Sequence, residues 1–167
     1  MVCPLITSVP IGAFLAGEGV ILDVRSPAEF AQGHIPGATS LPLFDDAGRA
    51  EIGTLYKQKG RSEAVMRGLA LVGPRLAELA QALRQASALH PGQPLRLHCW
   101  RGGMRSGSVA WLASQLDLPV LLLEGGYKSY RGWVLACFER PWPLRLLGGR
   151  TGTGKTELLL ALRQRGV

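Results

Sequence analysis

The stretch Leu97-His98-Cys99-Trp100-Arg101-Gly102-Gly103-Met104-Arg105-Ser106 joins a short apolar run, Leu95 to Leu97, to a segment in which Val109, Leu112, Ala113 and Leu116 recur at i, i+3, i+4 and i+7. That pattern predicts a strand, a tight glycine-containing turn and a helix. Cys99 stands at the end of the strand, and the loop behind it runs into the helix start. Unpaired backbone N–H groups point outward there and favour an anion. The same field stabilises a thiolate and can bring a cysteine pKa from about 8.5 to roughly 3.5–7.5. Arg101 and Arg105 are expected to push the same way. Cys99 is therefore the candidate nucleophile, and Trp100, Arg101, Gly102, Gly103, Met104 and Arg105 form the candidate anion-binding loop.

Working outward, strands are expected at Pro4 to Ile6, Val20 to Val24, Thr39 to Leu43 and Val120 to Leu123. Helices are expected at Ile11 to Leu15, from Ser26-Pro27-Ala28-Glu29 onward, at Ala50 to Lys59, through Ser62 to Leu89 with a break at Gly73-Pro74, and from about Tyr127 to Phe138. Ser26 at the N-cap, Pro27 at the first helical position and Glu29 at the third spell a capping box. Strands alternating with helices predict a parallel α/β sheet covered on both faces, with ligands beyond the carboxyl ends of the strands. Cys99, Asp23 and the Glu124-Gly125-Gly126 turn all fall at that end. Cys137 is in helical register with Tyr127, Tyr130 and Val134 and reads as core packing, while Cys3 near the terminus reads as inert. His98 reads as structural, because adjacent strand residues point to opposite faces.

The 167 residues allow one ordinary domain and a fragment, and 47% hydrophobic residues suffice for a core. No repeat, low-complexity tract or membrane-length apolar run is present, so the expectation is a soluble cytoplasmic protein with no membrane association. Three widely spaced cysteines suit reduced thiols better than a disulfide framework. Without a CxxC pair or a histidine cluster, no metal site is expected. A net charge of +7 and a pI near 9.9 favour a polyanionic partner such as RNA. Arg140, Arg145, Arg150, Lys155, Arg163 and Arg165 crowd the last thirty residues, and a plain solvated basic surface would look the same.

Beyond Arg140-Pro141-Trp142-Pro143 the composition shifts, which sets expected domains of 1–140 and 141–167. Leu144 to Leu147 reads as a strand leading into Gly149-Arg150-Thr151-Gly152-Thr153-Gly154-Lys155-Thr156, a full GxxxxGK[ST] motif, with an apolar-rich helix from Glu157 to Arg165 behind it. In that context the glycines let backbone N–H groups surround phosphate oxygens, Lys155 adds a positive charge and Thr156 suits a magnesium ion. Whether nucleotide, magnesium or another diphosphate sits there is open. The segment reads as the first strand–P-loop–helix unit of a P-loop domain cut short, with Leu158, Leu159 and Leu162 expected to be exposed.

Two sets of residues resemble known families. Leu22-Asp23-Val24-Arg25-Ser26-Pro27-Ala28-Glu29-Phe30, followed by Gly33-His34-Ile35-Pro36-Gly37-Ala38, resembles the opening of rhodanese domains, which implies a catalytic cysteine after the central strand. Cys99 through Ser106, Gly53-Thr54-Leu55-Tyr56-Lys57-Gln58, Glu124-Gly125-Gly126-Tyr127-Lys128 and the nearby P-loop resemble the tRNA 2-selenouridine synthase family, in order and over nearly the whole chain. That resemblance implies a selenotransferase that replaces the sulfur of wobble 2-thiouridine in tRNA with selenium from selenophosphate, through an S-geranyl intermediate made from geranyl diphosphate. It implies tRNA and the two small molecules as substrates, no tightly bound cofactor, and selenophosphate synthetase as a further partner. Cys99 is then expected to attack selenium, phosphate to leave, and an S-selanylcysteine to carry selenium to the base, while the P-loop is expected to hold the diphosphate.

The loop chemistry leaves other readings open. His98-Cys99-x5-Arg105 is also the signature of cysteine-dependent phosphatases, in which the thiolate attacks phosphorus and the arginine binds the equatorial oxygens. A plain thiosulfate sulfurtransferase and a non-catalytic tRNA-binding module are the remaining alternatives.

Overall fold

Ile21 to Asp23 are buried at every position and Leu95 to His98 at every position but Arg96, as happens in a strand with both faces covered. The computed structural model, which describes residues 5–143 and 145–165, places both in the middle of one sheet. Its strands are β1 (Ile6–Val9), β2 (Ile21–Asp23), β3 (Thr39–Ser40), β4 (Leu95–His98) and β5 (Val120–Leu123). They lie in the order β1-β5-β4-β2-β3, and every neighbouring pair is parallel. The helices are α1 (Ile11–Ala16), α2 (Pro27–Gln32), α3 (Asp46–Lys59), α4 (Arg61–Val72), α5 (Leu76–Ala88), α6 (Met104–Ser114), α7 (Gly126–Phe138) and α8 (Lys155–Gln164), with a 3-10 turn at Gly73–Arg75 before α5.

Side-chain alternation divides the core between the two faces. Leu95, Leu97 and Cys99 point to one side, where Leu22, Val24, Val120, the α5 residues Leu79 and Leu83, and the α6 residues Val109, Ala110 and Ala113 close around them. On the other side Phe14, Ile21, Ile35 and Leu123 form a smaller cluster, to which Tyr127 and Tyr130 of α7 are packed. Parallel strands require helical crossovers, and this is the α/β sheet, helix-covered on both faces, that the sequence predicts.

Several details differ from expectation. The first strand is Ile6–Val9 rather than Pro4 to Ile6, and Pro4 lies outside the described residues together with Cys3. The edge strand β3 stops at Ser40; beyond it Leu41 and Leu43 donate to the Asp23 and Val24 carbonyls in an irregular run. Helix α3 begins at Asp46 rather than Ala50, because Asp45 caps it by accepting from the Gly48 N–H at 2.7 Å. Cys137 is half-buried and belongs to neither core cluster.

The chain divides into two units, Met1–Ala136 and Cys137–Val167. In the second, Arg145–Leu147 form no strand, and Leu144 lies outside the described residues. A strand is made by pairing, and among the described residues this segment is not one of the five strands of the sheet. The loop and α8 are present. Leu158 and Leu159 are exposed, whereas Leu162 is half-buried. Among the described residues no helix is long and apolar enough to cross a membrane.

Candidate active site

Cys99 follows the last residue of the central strand β4 and is 3% exposed. Burial pushes its thiol up, but donors aimed at the sulfur overcome burial. The Ser106 hydroxyl lies 3.2 Å from Sγ, and the backbone N–H groups of Ser106, Arg101 and Gly103 also point to it. The net effect holds Cys99 below the usual thiol range. The donors of the loop thus converge on the cysteine sulfur itself, an arrangement that favours its thiolate.

Two glycines fix the loop against the β5–α7 turn. Gly102 has φ +66°, and a Cβ there would lie 2.7 Å from the Leu123 carbonyl. Gly126 has φ +61°, and a Cβ there would collide with the Cys99 carbonyl and the Gly102 N–H. Only glycine combines that backbone conformation with that approach. The first turn of α7 then clamps the loop: Tyr127 N–H donates to the Cys99 carbonyl at 2.8 Å, and Lys128 N–H to the Trp100 carbonyl at 3.0 Å.

The arginines do not act as the sequence suggests. Arg101 is exposed, and Arg105 turns away from the sulfur to Glu29, with Nη1 2.6 Å and Nη2 3.4 Å from the two carboxylate oxygens. Glu29 is also the third helical residue of the α2 capping box, accepting from the Ser26 N–H at 3.1 Å, and it lies 3.7 Å from Arg49. Burial alone would raise this carboxyl, but Arg105, the Ser26 N–H and Arg49 hold it below the usual carboxylate range. A bidentate carboxylate is the strongest partner an arginine finds locally, so it wins Arg105 from the loop. Around Cys99 the backbone and Ser106 supply the electrostatics.

Beneath the loop lies a buried polar group that sequence reasoning missed. Arg25 is 1% exposed and Asp23 is fully buried. Arg25 Nη2 lies 2.6 Å from Asp23 Oδ2 and 2.7 Å from the Gly33 carbonyl, and its Cζ sits 3.8 Å from the centre of the Tyr127 ring. His98, also fully buried, brings Nε2 to 3.7 Å from Asp23 Oδ2, too far for a hydrogen bond, and neither ring nitrogen has a partner. Burial drives its imidazole down; the Asp23 carboxylate opposes this and the Arg25 cation reinforces it, leaving a value of about 4. The legible signal was the pair Asp23 and Arg25, two apart at the end of a buried strand and therefore on one face. Together with Tyr127 they brace the α7 turn that holds Cys99.

The GxxxxGK[ST] segment belongs to the second unit. Gly149, Gly152 and Gly154 all have positive φ, and α8 starts at Lys155, so Gly154, Lys155 and Thr156 stand at a helix N-terminus. Lys155 Nζ folds back onto the Gly149 and Arg150 carbonyls at 2.9 and 2.5 Å, and Thr153 Oγ1 donates to the Arg150 carbonyl at 2.9 Å. Arg150 and Thr151 are exposed on this loop.

The sequence profile described as "Rhodanese-like domain" matches residues 13–132. The chain is 41% identical over 155 residues to the tRNA 2-selenouridine synthase of Bordetella bronchiseptica, covering 90% of this chain and 42% of that protein. It is 45% identical over 154 residues to the tRNA 2-selenouridine synthase of Cupriavidus necator, covering 87% and 40%. The chain therefore spans about two-fifths of the length of these curated relatives. Among solved structures, the N-terminal domain of a Clostridium difficile 630 protein named for ATP/GTP binding superposes with a TM-score of 0.73 at 37% identity, over 77% of this chain and 99% of that one.

Proposed function

The chain belongs to the rhodanese-like family, and from that premise we propose that it serves tRNA 2-selenouridine synthesis, with Cys99 as the nucleophile that takes up selenium. The observation that carries this reading is the 41–45% identity, over about nine-tenths of the chain, to proteins of that name. The activated Cys99 gives the reading a chemical centre. The substrates would be tRNA and selenophosphate, with geranyl diphosphate as the source of an S-geranyl intermediate; the reaction class is group transfer. The net charge of +7 suits a polyanionic substrate.

If the Cys99 thiolate attacks selenium, an S–Se bond forms, the Se–P bond breaks and the bonding pair leaves on phosphorus, which departs as phosphite rather than phosphate. Attack at phosphorus would instead give S-phosphocysteine and free selenide. Mass spectrometry of Cys99 after incubation with selenophosphate separates the two by selenium's isotope pattern. A selenium adduct with release of phosphite is the expected result, and a phosphoryl adduct would overturn the selenium-carrying role. Arg105, held by Glu29, is not over the loop where the phosphatase reading needs it.

The P-loop would take the diphosphate of geranyl diphosphate, drawing Lys155 Nζ from the Gly149 and Arg150 carbonyls to the anion. Lys155→Ala is then expected to lose geranylation, read by mass spectrometry of the RNA, while the Cys99 adduct still forms. Unchanged geranylation in that variant would remove the diphosphate from this loop.

A further inference from the structure

A cleft of about 240 Å³ adjoins the Cys99 loop, walled by Arg25, Glu29, Gln32, Trp100, Tyr127 and Arg131. Its charges are largely spent. Arg25 is committed to Asp23 and the Gly33 carbonyl, and Glu29 is committed to Arg105 and Arg49. Among the described residues of the cleft, Arg131 alone brings a cation outside any ion pair, and it is exposed at the rim. A compact dianion calls for convergent donors and uncompensated positive charge, which these walls lack.

What the walls offer is planar. The Trp100 and Tyr127 rings lie 5.8 Å apart, tilted by 36°. Arg25 already covers the Tyr127 ring at 3.8 Å, so the half-buried Trp100 is the aromatic platform with a face to give. Gln32, exposed at the end of α2, adds an amide with both donor and acceptor character, which matches the mixed polar edge of a pyrimidine. A flat ring, a neutral hydrogen-bonding edge and one cation at the rim together describe one nucleotide of single-stranded RNA.

We propose that this cleft receives one unstacked pyrimidine nucleotide of the RNA substrate, with its base on Trp100, its polar edge at Gln32 and its phosphodiester at Arg131. The inference rests on the tRNA reading above and goes further by naming where the base sits. Trp100 follows Cys99 in the chain, and the first turn of α7 holds the carbonyls of both residues. The platform and the nucleophile are therefore fixed by the same contacts, one residue apart.

The test uses a short single-stranded RNA with 4-thiouridine at the target position, photocrosslinked to the protein and mapped by peptide mass spectrometry. The crosslink is expected on the peptide carrying Trp100. Trp100→Ala is expected to weaken binding of that RNA about ten-fold, while Trp100→Phe keeps most of it and duplex RNA is unaffected by either change. Gln32→Ala, an exposed change that leaves the fold alone, should reduce the preference for pyrimidines. RNA that binds wild-type protein but crosslinks elsewhere, with Trp100→Ala unchanged, overturns the cleft assignment and leaves the tRNA reading standing. A wild-type chain with no RNA affinity at physiological salt overturns both.

Discussion

Cys99→Ser is expected to abolish uptake of selenium from selenophosphate, by about a thousand-fold or more, while the fold persists. The substitution changes one atom in a loop whose backbone donors remain in place. However, a serine hydroxyl is hardly ionised near neutral pH and is a poor nucleophile for selenium. Its cost should resemble that of removing a nucleophile from a catalytic unit. Cys137→Ser serves as the control, since Cys137 is a half-buried cysteine of the second unit. The same sulfur gives a pH readout. Because donors hold the Cys99 thiol below its usual range, its alkylation rate should reach a plateau at lower pH than that of a free cysteine peptide. Ser106→Ala removes the hydroxyl donor 3.2 Å from Sγ and should move that profile to higher pH. A profile in Ser106→Ala that coincides with wild type would show that the hydroxyl does not hold the thiolate. Adduct formation in Cys99→Ser would remove Cys99 from the chemistry.

The parts of this site that were legible in the sequence are those encoded locally. Cys99 at the end of β4, the turn glycines and the capping box at Ser26 each depend on neighbours a few residues away, and periodicity or cap chemistry reveals them. The parts that were not legible depend on pairing across the chain. Arg105 looked like a loop cation because it is six residues from Cys99, yet a carboxylate on α2, 76 residues away in sequence, takes it. Ser106 carries no visible role in the motif, because only the turn of the loop brings its hydroxyl onto the sulfur. In sequence Tyr127 is one member of an apolar helical stripe; its backbone N–H reaches Cys99 only when β5 lies beside β4, and its ring lies under Arg25 only when β2 also pairs with β4. The strand expected at Leu144 to Leu147 fails for the same reason in reverse. Its apolar residues suit a strand, but a strand also needs a partner, and sequence composition cannot supply one.

Asp23→Ala is expected to cost about 3–5 kcal/mol of stability, because it removes one partner of a buried ion pair. Removing the carboxylate leaves the Arg25 guanidinium 1% exposed and bonded only to the Gly33 carbonyl, beside the fully buried His98. For a unit of this size the thermal midpoint should fall by roughly 10 °C or more. Asp23→Asn is expected to recover little, since the amide keeps one acceptor for Arg25 but turns a donor toward the other N–H. Asp23→Ala combined with Arg25→Met should recover part of the loss, because the cost lies in the unpaired charge rather than in the missing contact. His98 makes the same group pH-sensitive. Its folded value of about 4 lies below the ordinary 6.5, so between those limits the unfolded chain binds the extra proton and stability falls as the pH is lowered. The drop amounts to about 3 kcal/mol once the pH is below 4, and none of it is present above 6.5. Since the Asp23 carboxylate raises the imidazole more than the Cys99 backbone does, Asp23→Ala should carry the lower limit of that window to still lower pH. Urea midpoints measured from pH 7.5 to 4.5 test both claims. A single-variant loss under about 1 kcal/mol, or a midpoint that stays flat across the window, would mean that water rather than protein solvates Arg25 and His98. The α7 turn that clamps Cys99 would then rest on packing alone, and the alkylation profile of Cys99 would be the same in Asp23→Ala as in wild type.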